Sequence, residues 1–387
     1  MRRLLALVST IVLVESTFFA VLAPLLPHYG DKFGLSATAL GILSGVYSAG
    51  ALAAALPSGV VAVRLGVRPT ALAGLAIIIV TSIAFGFAES SWVLYAARFG
   101  QGVGSALAWT GGLAWLIAAS PRERRGELIG IAMGAAVAGA LLGPVLGGVA
   151  SWTGTGPAFS FVAVASLVLG VWAWTTPAAR PTDEPQPLRE VASAFGERET
   201  VSGFWLVSLS AFLLGVISVV APISLDELGW GAVAIGAAFL VSAGIEAALN
   251  PILGKWSDRA GRFAPVRAGL FGCIGVSVIV PWVGVRWPAL LLVIVAGVFY
   301  GFFWVPGTAL LSDGAELAGL DQSLGFALLN VAWAPGNVVG AILGGALADA
   351  VGDAGPYLLA AALSLITLAA LRPAALDRRA APAKGSL

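Results

Sequence analysis

Twelve apolar stretches, each long enough to cross a lipid bilayer, constrain this chain more than any other feature. A spanning helix needs about 20 mostly apolar residues. The stretches cover residues 4–26, 37–62, 69–88, 91–118, 127–150, 156–176, 200–223, 231–254, 264–284, 287–311, 323–347 and 355–372. Of the 387 residues, 59% are hydrophobic and only 11% are charged, whereas a soluble globular chain carries about 25% charged residues. The chain therefore requires a lipid bilayer as a partner, and a disordered chain, a secreted disulfide scaffold and a nucleic-acid-binding module are excluded.

The distribution of positive charge supports twelve spans and predicts their orientation. With both termini in the cytoplasm, all but three of the 21 Lys and Arg residues fall in cytoplasmic segments. The exceptions are Lys32 and Arg286 on the outside and Arg98 within the membrane. Positive residues concentrate on the cytoplasmic side of membrane proteins. The pattern predicts a multi-pass protein of the plasma or inner membrane with both termini in the cytoplasm.

A charged segment with four prolines divides the chain into two sets of six spans. Its composition is typical of an extended linker. We therefore expect an N-terminal six-helix bundle over 1–176, a cytoplasmic linker over 177–199, a C-terminal six-helix bundle over 200–372 and a cytoplasmic tail over 373–387.

The two sets of spans also repeat each other. The Gly, Arg and Gly at 59, 64 and 66 recur at 254, 259 and 261. A glycine pattern of the fifth stretch recurs in the eleventh at almost the same offset. Two patterns at nearly one offset predict parallel copies. Transporters built from such repeats bind their substrate between the halves near the bilayer midplane.

These patterns resemble the signatures of the major facilitator superfamily over essentially the whole chain. Residues 254–262 are similar to the superfamily's cytoplasmic-loop signature, whereas the copy after the second stretch has Val63 in place of the acid. Residues 98–104 resemble the Arg-x-x-Gln-Gly pattern of proton-coupled members, and residues 139–148 resemble the signature of drug:proton antiporters. The resemblance implies an all-α membrane protein with twelve transmembrane helices in two parallel six-helix repeats.

Parts of the first half also resemble the vesicular monoamine transporter branch. Glu15, followed by Pro24 and Pro27, lies where that branch has a membrane-embedded acid. The branch's acids in the tenth and eleventh helices correspond here to Gly301 and Asn330. Amine specificity and proton stoichiometry therefore stay open.

Three ionisable residues lie inside the predicted spans, namely Glu15, Arg98 and Glu246. Each costs roughly 2.5–3.5 kcal/mol at mid-bilayer on insertion scales, so each is a candidate functional residue. Loss of water favours a neutral carboxyl group and a nearby Arg favours a charged one, so such an acid can exchange a proton near neutral pH. We expect these three residues to couple proton movement to transport. The alternative is a permanent Glu–Arg pair that only joins helices.

Polar and aromatic residues at helical spacing predict the lining of a cavity. In the fourth stretch, for example, Arg98 shares a face with three of them. The expected substrate-binding residues are Gln101, Ser105, Trp109, Asn250, Tyr300, Trp304, Asn330 and Trp333. Aromatic walls suit a flat apolar or cationic solute, because ring faces attract cations. Alternatively, the tryptophans mark the membrane interfaces.

Glycine rows and loop charges are the expected gating residues. Glycines spaced by four let a partner backbone approach closely, and a proline bends its helix. Charges at helix ends resemble a cytoplasmic latch, which should be asymmetric because the first half lacks the acid. The set comprises Arg64, Asp258, Arg259, Arg262, Gly139, Gly143, Pro144, Gly147, Gly148, Gly336, Gly340 and Gly344. Tight packing without gating and charges that only fix topology are the alternatives.

Together these features predict a monomeric secondary transporter working by alternating access. The expected activity is proton-coupled efflux of a small apolar or cationic molecule, with the proton as coupling ion and no other cofactor. A proton-coupled uptake symporter or a facilitator of a small metabolite is the alternative in the same fold. A membrane sensor or membrane-embedded enzyme is a third possibility, but the sequence offers no nucleophile–base set and no clustered acids.

Overall fold

The computed structural model describes residues 1–121, 124–178, 193–320 and 322–371, with the side chains of 322–327 left undescribed. Most of the expected linker over 177–199 and all of the expected tail over 373–387 lie outside the described residues. Within these ranges the chain is helical and has no strand. This confirms the all-α membrane fold.

The described helices form twelve spans, six in each half. The first half contains α1 (Arg2–Phe33), α2 (Ala37–Leu65), α3 (Val67–Gly86), α4 (Ser91–Ala119), α5 (Arg125–Thr153) and α6 (Thr155–Trp174). The second half contains α7 (Arg198–Glu227), α8 (Ala232–Ala260), α9 (Phe263–Trp282), α10 (Arg286–Leu317), α11 (Gln322–Val351) and α12 (Ala354–Ala370). Over the described ranges, eleven are long and apolar enough to cross a membrane, and α12 is a shorter apolar helix.

Span α1 is broken inside the bundle. Its first segment is Arg2–Ala20, and a 3-10 turn at Ala23–Leu25 leads into Leu26–Phe33. Pro24 and Pro27 explain the break, because proline has no backbone N–H and clashes with the carbonyl group four residues earlier. The last carbonyl groups of the first segment therefore need other donors.

The two halves contact each other through α2 with α11 and α5 with α8. These contacts are tight near the end of the bundle that holds Asp349, called here the Asp349 end. A Cβ atom at Gly41 of α2 would overlap the backbone of Ala341 of α11, and one at Gly148 of α5 would crowd Val233 of α8. Small residues thus let the halves pack closely at this end.

Toward the opposite end, called here the Arg262 end, the halves separate. In α2, Gly59 lies about five helical turns from Gly41 and therefore on the same face of the helix. In α5, Gly130 has the same relation to Gly148. Neither Gly59 nor Gly130 has any atom within 4 Å of its Cβ position. In the described residues, the interface is therefore closed at the Asp349 end and open at the Arg262 end.

Candidate functional site

Arg98 of α4 is held by the end of the first segment of α1. Its side chain is only 1% exposed. Nη1 donates to the carbonyl oxygen of Phe18 at 3.2 Å and to Oε1 of Gln101 at 3.1 Å, and Nη2 donates to the carbonyl oxygen of Phe19 at 3.0 Å. A cation at a helix C-terminus satisfies free carbonyl groups and the helix dipole. The broken α1 thus provides a buried site for the guanidinium group.

The Tyr47 ring of α2 completes the surroundings of Arg98. The guanidinium carbon lies 4.5 Å from the ring centroid. A cation over an aromatic face gains about 0.5–2 kcal/mol, the larger value when water is excluded. Arg98 is therefore stabilised by carbonyl groups, an amide and a ring rather than by a carboxylate.

Glu15 of α1 lies close by but is not paired with Arg98. It is 2% exposed and Ser105 lies beside its carboxyl group. Its Oε1 atom has no hydrogen-bond partner among the described residues. The ion pairs formed between described residues are Arg124–Glu127 and those of Arg262, so Glu15 and Arg98 form none with each other. In this conformation Glu15 and Arg98 therefore do not form the Glu–Arg pair that was the alternative to proton coupling.

An aromatic group closes the site toward the Asp349 end. Phe19 lies one helical turn beyond Glu15. Its ring centroid is 5.4 Å from that of Tyr47 and 5.1 Å from that of Trp333 of α11. Phe19 and Trp333 belong to different halves, so the group spans the interface. A ligand beside Glu15 would meet aromatic rings on this side.

A buried hydrogen bond joins the halves at a similar depth. Ser48 of α2 donates to Oδ1 of Asn337 of α11 at 2.8 Å, and both side chains are buried. Such a polar contact inside a membrane protein helps to fix one arrangement of helices. It must be exchanged for other contacts when the halves move.

Glu246 lies in the second half and faces α10. A Cβ atom at Gly301 would overlap its carboxyl group. No described residue forms an ion pair with it. Asn250, one turn further along α8, has a buried Oδ1 atom without a hydrogen-bond partner in the part of the chain that the structure describes.

The other predicted binding residues divide between the interface and the cores. Trp304 packs with Trp333 against a small cluster of the second half, whereas Trp109 packs against the core of the first half. Asn330 is exposed. The structure therefore places Gln101 against Arg98, Ser105 beside Glu15 and Trp333 against Phe19. Apart from Tyr300, the remaining positions stay predictions.

Tyr300 does not belong to this group, which corrects the expectation from helical spacing. Its hydroxyl group forms a hydrogen bond of 2.6 Å with Ser277 of α9, and its carbonyl oxygen accepts from Oγ of Ser210 of α7 at 2.7 Å. The side chain is fully buried in the core of the second half. The physical reason is a break in α10 between Gly301 and Trp304. Residues 300 and 304 therefore do not share a face as they would in a continuous helix.

The two glycine rows pack within each half. Gly139, Gly143 and Gly147 pack on α1, and Gly336, Gly340 and Gly344 pack on α7. The expected close approach of backbones is present, but the partner helix belongs to the same half. Positions beside the rows reach across the interface: the carbonyl group of Pro144 meets Gly236 of α8, Gly148 meets Val233 of α8, and a Cβ atom at Gly345 would overlap the carbonyl group of Ala37 of α2. A gating role for the rows stays a prediction.

The charged loop after α8 binds its own half in this conformation. Arg262 forms ion pairs with Asp258 at 2.6 Å and with Asp313 at 3.2 Å. Arg64 and Arg259 are exposed. Among the described residues, the predicted latch between the halves is therefore not closed, which agrees with the separation at the Arg262 end.

Comparison with known proteins identifies the family. Residues 8–334 match the Major Facilitator Superfamily. The chain belongs to this superfamily. It is therefore a multi-pass membrane transporter and not an enzyme. Its Glu15, Arg98 and Trp333 all lie within the matched residues.

Two relatives match shorter stretches. Over 109 residues the chain is 35% identical to the multidrug resistance protein MdtL of Escherichia coli O157:H7 (strain EC4115 / EHEC), covering 28% of each chain. Over 142 residues it is 34% identical to the probable vesicular acetylcholine transporter-B of Danio rerio, covering 34% of this chain and 29% of that protein. The chain thus matches less than a third of the length of either relative.

A solved structure shares the fold. It is a bacterial homolog to the human lysosomal transporter Spinster, in an inward-facing and unoccupied conformation, with a TM-score of 0.75 and 16% sequence identity. The similarity covers 95% of this chain and 91% of that chain. At this identity the likeness concerns the fold alone.

Sequence reasoning missed several residues of the site. Phe19 and Tyr47 are aromatic residues that belong to no sequence motif. The available signal was that Phe19 stands four residues after Glu15 and therefore shares its face. Asp349 was missed because an acid near the end of a span is ordinary. The sequence places Asp349 near the end of the eleventh stretch, but it does not show that the start of a helix in the other half lies beside it.

Proposed function

We propose that this transporter is a proton-coupled antiporter that exports a small apolar or cationic molecule. The observation that carries the proposal is that the carboxyl group of Glu15 forms no ion pair with any described residue. Because Arg98 is stabilised by the carbonyl groups of Phe18 and Phe19, its charge does not commit Glu15 to an ion pair. Glu15 can therefore exchange ligands without leaving a buried cation unpaired.

A single carboxylate binds a proton or a cationic substrate, and not both at once. Competition of this kind gives antiport when the empty, deprotonated carrier does not change conformation. A substrate that binds Glu15 at one membrane face is displaced by a proton at the other, and the protonated carrier then returns. Each ligand shifts the two conformations only by its differential affinity for them.

The open Arg262 end supports loading from the cytoplasm. The positive charge distribution assigns this end to the cytoplasm and the Asp349 end to the outside. In the described conformation, a cytoplasmic substrate would reach Glu15 from the open end. Phe19 and Trp333 would block its path to the outside. We propose that the protein works as a monomer in the cell membrane, with the proton as coupling ion and with no other cofactor.

The proposed substrate is flat and either apolar or positively charged. The rings of Phe19, Tyr47 and Trp333 pack together, Phe19 stands one helical turn after Glu15, and aromatic faces attract cations. The names of the two relatives, a multidrug resistance protein and a probable acetylcholine transporter, support this chemistry.

The direction of coupling can be tested in proteoliposomes with an imposed pH gradient. Permanently charged aromatic cations such as ethidium are the best probes, because they do not accumulate through their own protonation. An antiporter accumulates the cation when the lumen is acidic, whereas a proton symporter accumulates it when the outside is acidic. Protein-free liposomes and a proton–potassium exchanger that removes the gradient are the controls. Accumulation only with an acidic outside would replace antiport by uptake symport, and equilibration indifferent to the gradient would indicate a facilitator.

A further inference from the structure

The contact between α8 and α10 has an unusual chemical match. Two glycines one turn apart on α10, Gly297 and Gly301, face two polar residues one turn apart on α8, Ser242 and Glu246. A Cβ atom at Gly297 would overlap Oγ of Ser242, and one at Gly301 would overlap the carboxyl carbon and both carboxyl oxygens of Glu246. The Glu246 carboxyl group therefore occupies the space that any side chain at position 301 would need.

The backbone does not explain why position 301 carries glycine. Gly301 has no positive φ, so its conformation is open to other residues. Glycine also weakens a helix relative to alanine. The carboxyl group of Glu246 is the neighbour that a side chain at position 301 would have to displace.

We infer that Gly301 is a positioning residue for Glu246. By leaving its Cβ position empty, Gly301 lets the carboxyl group lie against α10. A side chain at 301 pushes the carboxyl group away from α10, toward the side on which Glu246 is already partly exposed. The placement itself does not depend on the proposed function. Its purpose does, because Glu246 is one of the residues proposed to couple protons.

The placement can be measured without transport, by labelling carboxyl groups in proteoliposomes. Dicyclohexylcarbodiimide is apolar and modifies carboxyl groups in apolar surroundings, and a water-soluble carbodiimide modifies those that face water. Mass spectrometry reads modification at Glu246 and Glu15 separately. In Gly301→Ala we expect apolar labelling of Glu246 to fall about tenfold and water-soluble labelling to rise, while labelling of Glu15 is unchanged and reports an intact fold.

Gly297→Ala is the matched control, since it adds the same methyl group one turn away and meets Ser242 instead of Glu246. We expect it to leave the labelling of Glu246 unchanged. Glu246→Asp/Gly301→Ala moves one carbon from the acid to position 301 and should restore apolar labelling at position 246. A purely structural disturbance of α10 would not be corrected by this exchange.

Two results would overturn the inference. One is unchanged labelling of Glu246 in Gly301→Ala, and the other is an equal loss in Gly297→Ala. If Gly301→Ala alters labelling as expected but leaves gradient-driven transport intact, the placement by Gly301 stands and the coupling role of Glu246 is wrong. If Gly301→Ala loses both the apolar labelling of Glu246 and gradient-driven transport, the placement by Gly301 and the coupling role of Glu246 are both supported.

Discussion

Thr38 donates both its backbone N–H and its hydroxyl group to the same carboxylate oxygen of Asp349, at 2.8 and 2.6 Å. The other oxygen accepts from the backbone N–H of Ala37 at 3.0 Å. Because α2 begins at Ala37, a carboxylate of the second half caps a helix of the first half. Such caps satisfy free N–H groups and the helix dipole. Opening the Asp349 end requires that this contact break.

Asp349→Asn should shift the protein toward conformations open at the Asp349 end. The substitution removes the negative charge at the helix start, which we expect to cost the closed form up to about 1 kcal/mol and to change the population ratio up to about fivefold. Electron–electron distances between spin labels on exposed residues of the two halves measure this ratio. Asp353→Asn is the control, because Asp353 accepts from Ser224 of its own half. An equal shift in the control would contradict a role for the Asp349–Thr38 contact in closing this end.

Gly41→Val and Gly59→Val should have opposite effects on the conformational equilibrium. Both residues lie on one face of α2, but only Gly41 contacts the other half in the described conformation. Valine at 41 should therefore disfavour closure of the Asp349 end, whereas valine at 59 should disfavour closure of the Arg262 end. The spin-label distances at both ends measure the result. Shifts of the same sign would show that the separation at the Arg262 end is not part of the transport cycle.

Tyr47→Leu should destabilise the first half more than Tyr47→Phe does. The ring face of Tyr47 supports the buried guanidinium group of Arg98, and phenylalanine keeps that face. We expect leucine to lower the free energy of unfolding by about 1–2 kcal/mol. Thermal unfolding in detergent, with Tyr47→Phe as the reference, measures the difference. Equal unfolding temperatures for the two variants would remove the cation–ring contact from the account.

Tyr300→Phe should lower stability without changing substrate affinity. It removes the hydroxyl group that bonds to Ser277 in the core of the second half, which should cost about 1 kcal/mol. Substrate affinity should change less than about twofold, because Tyr300 lies in the core of the second half and not at the site. Trp333→Phe alters a ring at the site and should weaken substrate binding more. Binding titrations of the two variants test the assignment. A large loss of affinity in Tyr300→Phe would return this residue to the substrate site.

The fold follows from the sequence because lipid imposes simple lengths and charges. The predicted starts of the second and fourth stretches, residues 37 and 91, coincide with the starts of α2 and α4. Helical spacing also placed Arg98, Gln101 and Ser105 together on one face. These features are local along the chain and depend on few neighbours.

The site's contacts could not be predicted in the same way, because they join distant residues. The contacts of Asp349 with Thr38 and of Trp333 with Phe19 both link the two halves. Spacing tells which residues share a face, but it does not tell which helix covers that face. The glycine rows illustrate this, since their partners are α1 and α7 rather than helices of the opposite half. Tyr300 shows the further effect of a helix break, because it packs in the core of the second half while Trp304 packs in a different cluster with Trp333.

The most direct test of proton coupling at Glu15 is gradient-driven accumulation of a permanently charged aromatic cation by Glu15→Gln in proteoliposomes. Glutamine keeps the size of the side chain but cannot exchange a proton. We predict that accumulation with an acidic lumen falls to the level of protein-free liposomes, while Glu127→Gln, which alters an exposed acid of the same half paired with Arg124, retains it. Undiminished accumulation by Glu15→Gln would contradict the account.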